Sequence, residues 1–450
     1  MFNSDEDMRR PDEENPSEED IGGQNTEETR EPSTPAERTQ KPKKEPHMVS
    51  VKNTVLIAVL STVIAVIISL QAAFVVLRDV YGRKIEQAYG RAVDFSNLIE
   101  VADIFDTNYL YKVDKTELSD DLARAYVALS GDRFASYYSA EEWAAEVADT
   151  EGKSAGIGVY VVAMEDGVHV VHVMKNSPSE TAKLMNGDII TAVDGESVVG
   201  YDISYATSLI AGVADTTVTL TLIRDGKTIE IPVVRGIYEA ETVIASTVTM
   251  DDGKKYGYIK ITEFMSIEVT ANQFKAAVNG LLSDGCEGLI FDVRDNPGGR
   301  LDAAVEILDF LLPEGPIVHI TDLEGNKVMD IKESDKSEID CPMVVLANGN
   351  TASAAELFTS ALKDYNKVTI VGTNTFGKGC GQSGFTLSSG AVLYVTTFLY
   401  SPPTSPNYDK KGIAPDVEVD LPEEYKNTNL FLLEPKNDTQ LLRALEEIQK

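Results

Sequence analysis

The stretch Met343-Val344-Val345-Leu346-Ala347-Asn348-Gly349-Asn350-Thr351-Ala352-Ser353-Ala354-Ala355-Glu356-Leu357-Phe358-Thr359-Ser360-Ala361-Leu362, followed after a polar turn by Val368-Thr369-Ile370-Val371, decides the architecture of the second half of this chain. A short apolar run, a polar loop, an apolar helical period and a second apolar run read as strand, helix and strand. The predicted strands cover 343–346 and 368–371, and the helix 352–362. The same rhythm surrounds this unit: a strand over 256–261, a helix over 269–282 closed by Asp284-Gly285, a buried strand over 288–293, a helix over 302–312 stopped by Pro313, and a strand over 392–398. Such alternation predicts an α/β core, over 237–425, with helices packed on a mostly parallel sheet.

Upstream the texture is β-rich. Gly156-Ile157-Gly158-Val159-Tyr160-Val161-Val162 and the run 168–173 are strand-like and are joined by Glu165-Asp166-Gly167. Residues 217–223 alternate polar and apolar, Asp225-Gly226 supplies a two-residue hairpin turn, and 228–234 returns as a strand. Between them lie Ser177-Pro178-Ser179-Glu180, Asn186-Gly187-Asp188 and Val193-Asp194-Gly195. The whole of 155–236 resembles a PDZ domain, inserted ahead of the α/β core. In that family a glycine-rich turn offers backbone amides to a peptide carboxylate while a strand edge pairs with the peptide. The resemblance assigns this turn to Gly156, Ile157 and Gly158, with Leu184-Met185 standing where Ala-Gly is usual.

Residues 80–150 read as a helical module. Phe95, Leu98, Ile99, Ala102 and Phe105 form one stripe, and Leu118, Leu122, Tyr126 and Leu129 another, with Ser119 a candidate cap for the second helix. The module packs on the domains that follow or on a second copy of itself. Residues 426–450 close the chain as a further helical segment. At 450 residues the chain exceeds the size at which one core keeps growing, so two or more folded units are expected.

Residues 54–77 carry no charge and are long enough to span a bilayer as a helix. A cleaved signal peptide is excluded by the length of this stretch and by the polar tail before it, so it reads as a membrane anchor. Basic residues flank both sides, Lys41, Lys43, Lys44 and Lys52 before and Arg78, Arg83, Lys84 and Arg91 after, so charge does not set the orientation. The tail over 1–46 is acidic and poor in large apolar side chains, which predicts disorder. A net charge of -33 without a basic stripe excludes a nucleic-acid partner. The cysteines Cys286, Cys341 and Cys380 show no disulfide or metal spacing, and His169 and His172 fall on opposite faces of a strand.

Two residues bear chemistry. Ser353 lies at the first turn of the predicted helix, where unpaired amides and the positive end of the helix dipole favour an anion. Ser353-Ala354-Ala355-Glu356 also matches a capping box, so the motif alone leaves both readings open. Lys378 sits in the turn Gly377-Lys378-Gly379, with Gln382 near enough in sequence to orient an amine. For a lysine to act as a base near neutrality its pKa must fall by about three pH units, worth roughly 4 kcal/mol, and burial without a carboxylate partner supplies such a shift. A solvated loop lysine is the alternative. Cys380 beside it lacks a partner histidine in the sequence, and His319, in the strand-like run Ile317-Val318-His319-Ile320, is the one histidine weighed for a Ser-His-Asp triad.

Residues from about 95 to 420 resemble the C-terminal processing peptidases, the tail-specific serine proteases of S41 type. The resemblance rests on Gly156-Ile157-Gly158, Asp292-Val293-Arg294-Asp295-Asn296-Pro297-Gly298-Gly299, Thr351-Ala352-Ser353-Ala354-Ala355-Glu356, Thr375-Phe376-Gly377-Lys378-Gly379 with Gln382, and Gly412-Ile413-Ala414-Pro415-Asp416-Val417. Thr351, Ala355 and Cys380-Gly381 depart from the usual residues without touching the nucleophile. The resemblance implies that Ser353 is the nucleophile, Lys378 the general base and Gln382 its positioner, with the amides of Ala354 and Gly299 as oxyanion hole. It also implies a dimer or larger assembly and substrates that are proteins with unstructured C-termini. No metal or organic cofactor is expected. The expected protein is a membrane-anchored serine endopeptidase with a cytoplasmic N-terminus and an extracytoplasmic catalytic part. The competing class is a catalytically inactive, membrane-anchored peptide-binding scaffold.

Overall fold

The structure is a computed structural model that describes residues 69, 95–150, 155–329, 333–335, 338–426 and 428–450. The acidic tail expected over 1–46 and, apart from Ser69, the membrane helix expected over 54–77 lie outside the described residues. Among the described residues, no helix is long and apolar enough to cross a membrane. The chain divides into two compact units, 1–112 and 113–450. From the first, the helix Ser96–Asn108 is described, and its stripe residues Leu98, Ile99 and Phe105 are exposed.

The second unit is organised by two strands that are buried at every position, Leu289–Asp292 and Met343–Ala347. Strands covered on both faces belong in the middle of a parallel sheet. They occupy the centre of six, in the order Val243–Thr249, Lys255–Ile261, Leu289–Asp292, Met343–Ala347, Val368–Gly372 and Val417–Glu418. The first pair is antiparallel and every later pair parallel. Alternate residues therefore feed two cores. Leu289, Phe291 and Val345 face the helices Asn272–Ser283, Leu301–Leu311 and Ala354–Asp364, where Phe274, Phe291 and Phe358 pack ring against ring. Ile290, Val344 and Leu346 face the C-terminal helix Thr439–Glu447 through Leu441, Ala444 and Leu445. Each fully buried aromatic or aliphatic side chain here is worth about 1.5–3 kcal/mol of transfer free energy.

The long strand Val392–Ser401 does not join that sheet. It is the spine of a second, antiparallel sheet, paired with Cys380–Thr386, with His319–Thr321 and with Ser136–Tyr138. Ser136–Tyr138 thus interrupts the stretch read as helical, because its backbone completes an open sheet edge. The helices around it are Lys115–Leu129 and Ala140–Thr150. The first is capped by Asp114, whose carboxylate accepts from the amides of Thr116 and Glu117, so Ser119 lies inside the helix and is not its cap.

The β-rich region forms its own sheet, in the order Val159–Met164, Gly167–Val173, Ile189–Val193, Thr217–Arg224 and Lys227–Val234. The turn between the last two has φ of 50° at Asp225 and 72° at Gly226, the left-handed pair that a twisted hairpin needs. Tyr160 on its edge strand donates to the Glu241 carbonyl at 3.0 Å and stacks on Phe431 with ring centroids 5.6 Å apart, which joins this domain to the α/β core.

One polar cluster closes the α/β core. Arg294 is buried and bonds both Asp292, at 2.6 and 3.0 Å, and Asp438, at 2.8 and 2.9 Å. Asp438 in turn caps the C-terminal helix by accepting from the Leu441 amide at 3.0 Å. Burial alone raises the Asp292 carboxyl, but the charges of Arg294 and Lys260 hold it far below the usual carboxylate range. Removing one partner of such a cluster strands the others. Arg294→Met is therefore expected to lower the stability of the full chain by about 3–5 kcal/mol, read from the shift of its chemical denaturation midpoint.

Candidate active site

Three loops leave the carboxyl ends of adjacent parallel strands: 293–299 after Leu289–Asp292, 348–353 after Met343–Ala347, and 373–379 after Val368–Gly372. That end of an open α/β sheet is where such folds place their sites. The loops are tied by their own polar groups. Thr351 Oγ1 donates to the Val293 carbonyl at 2.8 Å, the Ala352 amide to the Asn296 carbonyl at 3.0 Å, and the Phe376 amide to the Thr351 carbonyl at 3.0 Å.

Ser353 stands immediately before the helix Ala354–Asp364 with φ 56° and ψ −121°. A side chain in that region costs of order 1–3 kcal/mol, held here by the surrounding bonds. The close packing depends on Gly298, at φ 105°: a Cβ there would lie 2.6 Å from the Ser353 Cβ and 2.9 Å from the Ala354 nitrogen. Gly298 and Arg300 form the bridge to Phe264, through Phe264 N to the Gly298 carbonyl at 2.8 Å and Arg300 N to the Phe264 carbonyl at 2.6 Å. The intervening Gly299 amide is directed away from that bridge. Among the described residues, neither the Gly299 amide nor the Ala354 amide has an acceptor.

Glu356 is fully buried and its carboxylate joins the two loops. One oxygen accepts from Thr375 Oγ1 at 2.5 Å and from the Gly377 amide at 2.7 Å. The other accepts from the Lys378 amide at 2.7 Å and from the Ser353 amide at 3.0 Å. The capping-box reading of Glu356 therefore holds for its reach back to Ser353, and the same carboxylate also folds the lysine loop. Gly412-Ile413 braces that loop from outside, the Ile413 amide donating to Thr375 Oγ1 at 2.7 Å. Tyr400, buried on the long strand, donates to the Lys378 carbonyl at 2.6 Å and lies 3.2 Å from Ser353 Oγ. Sequence reading missed Tyr400 because nothing in its strand marks one aromatic residue from the next.

Ser353 and Lys378 are thus brought to one carboxylate and one phenol. No hydrogen bond joins their side chains among the described residues; the Lys378 amine lies over the Phe134 ring, 4.6 Å from its centroid. Lys378 is half-buried and no carboxylate pairs with its amine, so burial pushes its pKa below the usual lysine value. Gln382 does not touch the amine. Its amide donates to Thr396 Oγ1 at 3.2 Å across the sheet, where the register shifts between Gly381 and Gln382.

The remaining candidates lie elsewhere or are inert. Burial pushes the Cys380 thiol up to about 11, away from thiolate chemistry. His319 bonds the Pro403 carbonyl at 3.0 Å, and its strand neighbour Ile320 pairs with Tyr400, so the histidine is on the opposite sheet face. The register shift between Tyr160 and Val161 puts His169 and His172, opposite Val162 and Tyr160, on one face of their strand and not on opposite faces as expected; they bond Asp166 and Glu241 separately, and among the described residues no cluster could hold a metal. In the β-rich domain, Gly158 has φ 73° and packs against Ser177, leaving no room for a side chain. The amides of Ile157 and Gly158 have no acceptor among the described residues.

Comparison with known proteins agrees with this architecture. The model of peptidase family S41 matches residues 255–419, and that of the PDZ domain residues 155–234. The carboxy-terminal-processing protease of Bartonella bacilliformis (strain ATCC 35685 / KC583 / Herrer 020/F12,63) is 34% identical over 75% of this chain and 79% of its own length. A relative from Staphylococcus aureus (strain COL), named "Probable CtpA-like serine protease", is 31% identical over 75% of this chain and 68% of its own. A solved structure of a candidate S41 protease from Bacteroides fragilis NCTC 9343 shares the fold, with a TM-score of 0.53 at 19% identity over 76% of this chain and 92% of the other. The chain belongs to peptidase family S41, with the carboxy-terminal-processing serine peptidases, and carries a PDZ domain.

Proposed function

We propose that this peptidase cleaves protein substrates with a Ser353-Lys378 dyad. The observation that carries the reading is the Glu356 carboxylate, which binds the backbone amides of both residues and so fixes their loops against each other. Ser353 Oγ attacks the peptide carbonyl carbon and its proton passes to the Lys378 amine. The oxyanion accepts from the free amides of Ala354 and Gly299, a stabilisation worth about 3 kcal/mol per donor. The ammonium then protonates the leaving amine, and water, deprotonated by the same lysine, releases the acyl-enzyme. The hand-off requires the lysine side chain to swing from Phe134 to Ser353. Gln382 acts through the strand, by holding Thr396 on the segment that carries Tyr400.

Substrate recognition follows from the PDZ domain. The edge strand Val159–Met164 is paired on one side only, and the amides of Ile157 and Gly158 precede it without acceptors. That arrangement suits an extended peptide with a free C-terminal carboxylate. The apolar stretch 54–77 supports an anchor in the cell membrane, and the proposal places the acidic tail in the cytoplasm and the catalytic part outside it.

Cleavage of an unfolded model protein tests the dyad. Ser353→Ala and Lys378→Ala are each expected to reduce kcat by at least about 10³-fold, and cleavage at equal rates by both variants and the unaltered chain would refute it. The pH dependence has a definite sign: the base is the neutral amine, so kcat/KM falls as pH drops through the lowered pKa of Lys378 and rises above it. A rate that is flat from acid to neutral pH removes Lys378 from this role. Glu356→Gln replaces one acceptor oxygen by a donor facing amide N–H groups, and kcat should drop about 10²-fold through misplacement of the two loops, with thermal unfolding showing whether the fold persists.

A further inference from the structure

The turn Asp132-Arg133-Phe134 follows the helix Lys115–Leu129 and reaches the site from outside the α/β core. Its geometry is set by Asp132. That carboxylate accepts from the Phe134 amide at 3.0 Å, which orders the turn, and from Thr396 through both its amide at 2.9 Å and its hydroxyl at 3.0 Å. Thr396 is on the strand that carries Tyr400 and bonds Gln382, so the turn is pinned to the same sheet that reaches Ser353. Arg133 lies over the Phe134 ring at 4.6 Å and over the Phe376 ring at 4.8 Å. The half-buried Phe134 ring then meets the Lys378 amine, which has no other polar partner among the described residues.

We infer that Phe134, held by Asp132, is a positioning residue for the Lys378 amine: its ring both walls the amine off from water and supplies the face on which its charged form rests. The inference builds on the proposed role of Lys378 as base. The two effects of the ring have opposite signs. The π face favours the ammonium, whereas exclusion of water disfavours it. The other groups around the amine are Cys380, Arg133, Asp132 and Glu356. Of these, the two carboxylates favour the charged form and Arg133 opposes it, the thiol stays neutral where the amine titrates, and none is substituted in the variants below.

The opposition makes the role separable from packing. Phe134→Leu keeps an apolar wall and removes the π face, so the Lys378 pKa should move down by about half a pH unit. Phe134→Ala admits water, and the pKa should move up instead. The full chain and both variants are titrated by pH-dependent labelling of Lys378 with an amine reagent, read by mass spectrometry, alongside the acidic limb of kcat/KM. Opposite displacements of the labelling curve support the placement. Identical labelling curves in all three proteins overturn it. If the labelling curves separate but the acidic limb of kcat/KM does not follow them, the placement stands and Lys378 is not the base.

Discussion

A carboxylate with no solvent contact must be surrounded by donors, and Glu356 has four: the Ser353, Gly377 and Lys378 amides and the Thr375 hydroxyl. Three of them come from the loop after the strand Val368–Gly372, one strand further along the chain than the helix bearing the glutamate. The position of Glu356 in the first turn of that helix adds the favourable field of the helix N-terminus. Losing any donor leaves a buried charge partly unmet, so the loop has one strongly preferred path. That path determines where the Ser353 hydroxyl and the Lys378 amine come to lie.

The rest of the second unit can be understood as support for this junction. The parallel strands Leu289–Asp292, Met343–Ala347 and Val368–Gly372 end side by side, which delivers the three loops to one place. Arg294 locks the first of these strands to the C-terminal helix through Asp292 and Asp438. The antiparallel sheet contributes Tyr400 from one side and, through Thr396 and Asp132, fixes the turn that brings Phe134 to the lysine from another. A strained Ser353 is tolerated because the bonds of Thr351, Ala352 and Glu356 surround it on every side of the backbone.

Much of the core was legible because its signals are local. Continuous apolar runs at 289–291 and 343–347 are what a two-sided sheet demands, and Asp225-Gly226 is what a tight hairpin demands. The strand Val392–Ser401 was recognisable as a strand but not as the spine of another sheet, since alternation does not name a partner. Ser136–Tyr138 was hidden inside a helical stretch for the same reason. Gln382, close to Lys378 in sequence, points its amide to Thr396 because the bulge at Gly381 and Gln382 alters the register.

By itself the sequence determined the succession of elements, the glycine turns and the family motifs around Ser353 and Lys378, because each depends on residues near one another along the chain. Only the tertiary structure decided that Glu356 serves two loops, that Tyr400 meets both Ser353 and the lysine loop, and that Phe134 lies beneath the amine. The physical reason is that a buried charge or phenol is satisfied by whatever donors and acceptors packing brings to it, and packing joins segments that the chain keeps far apart.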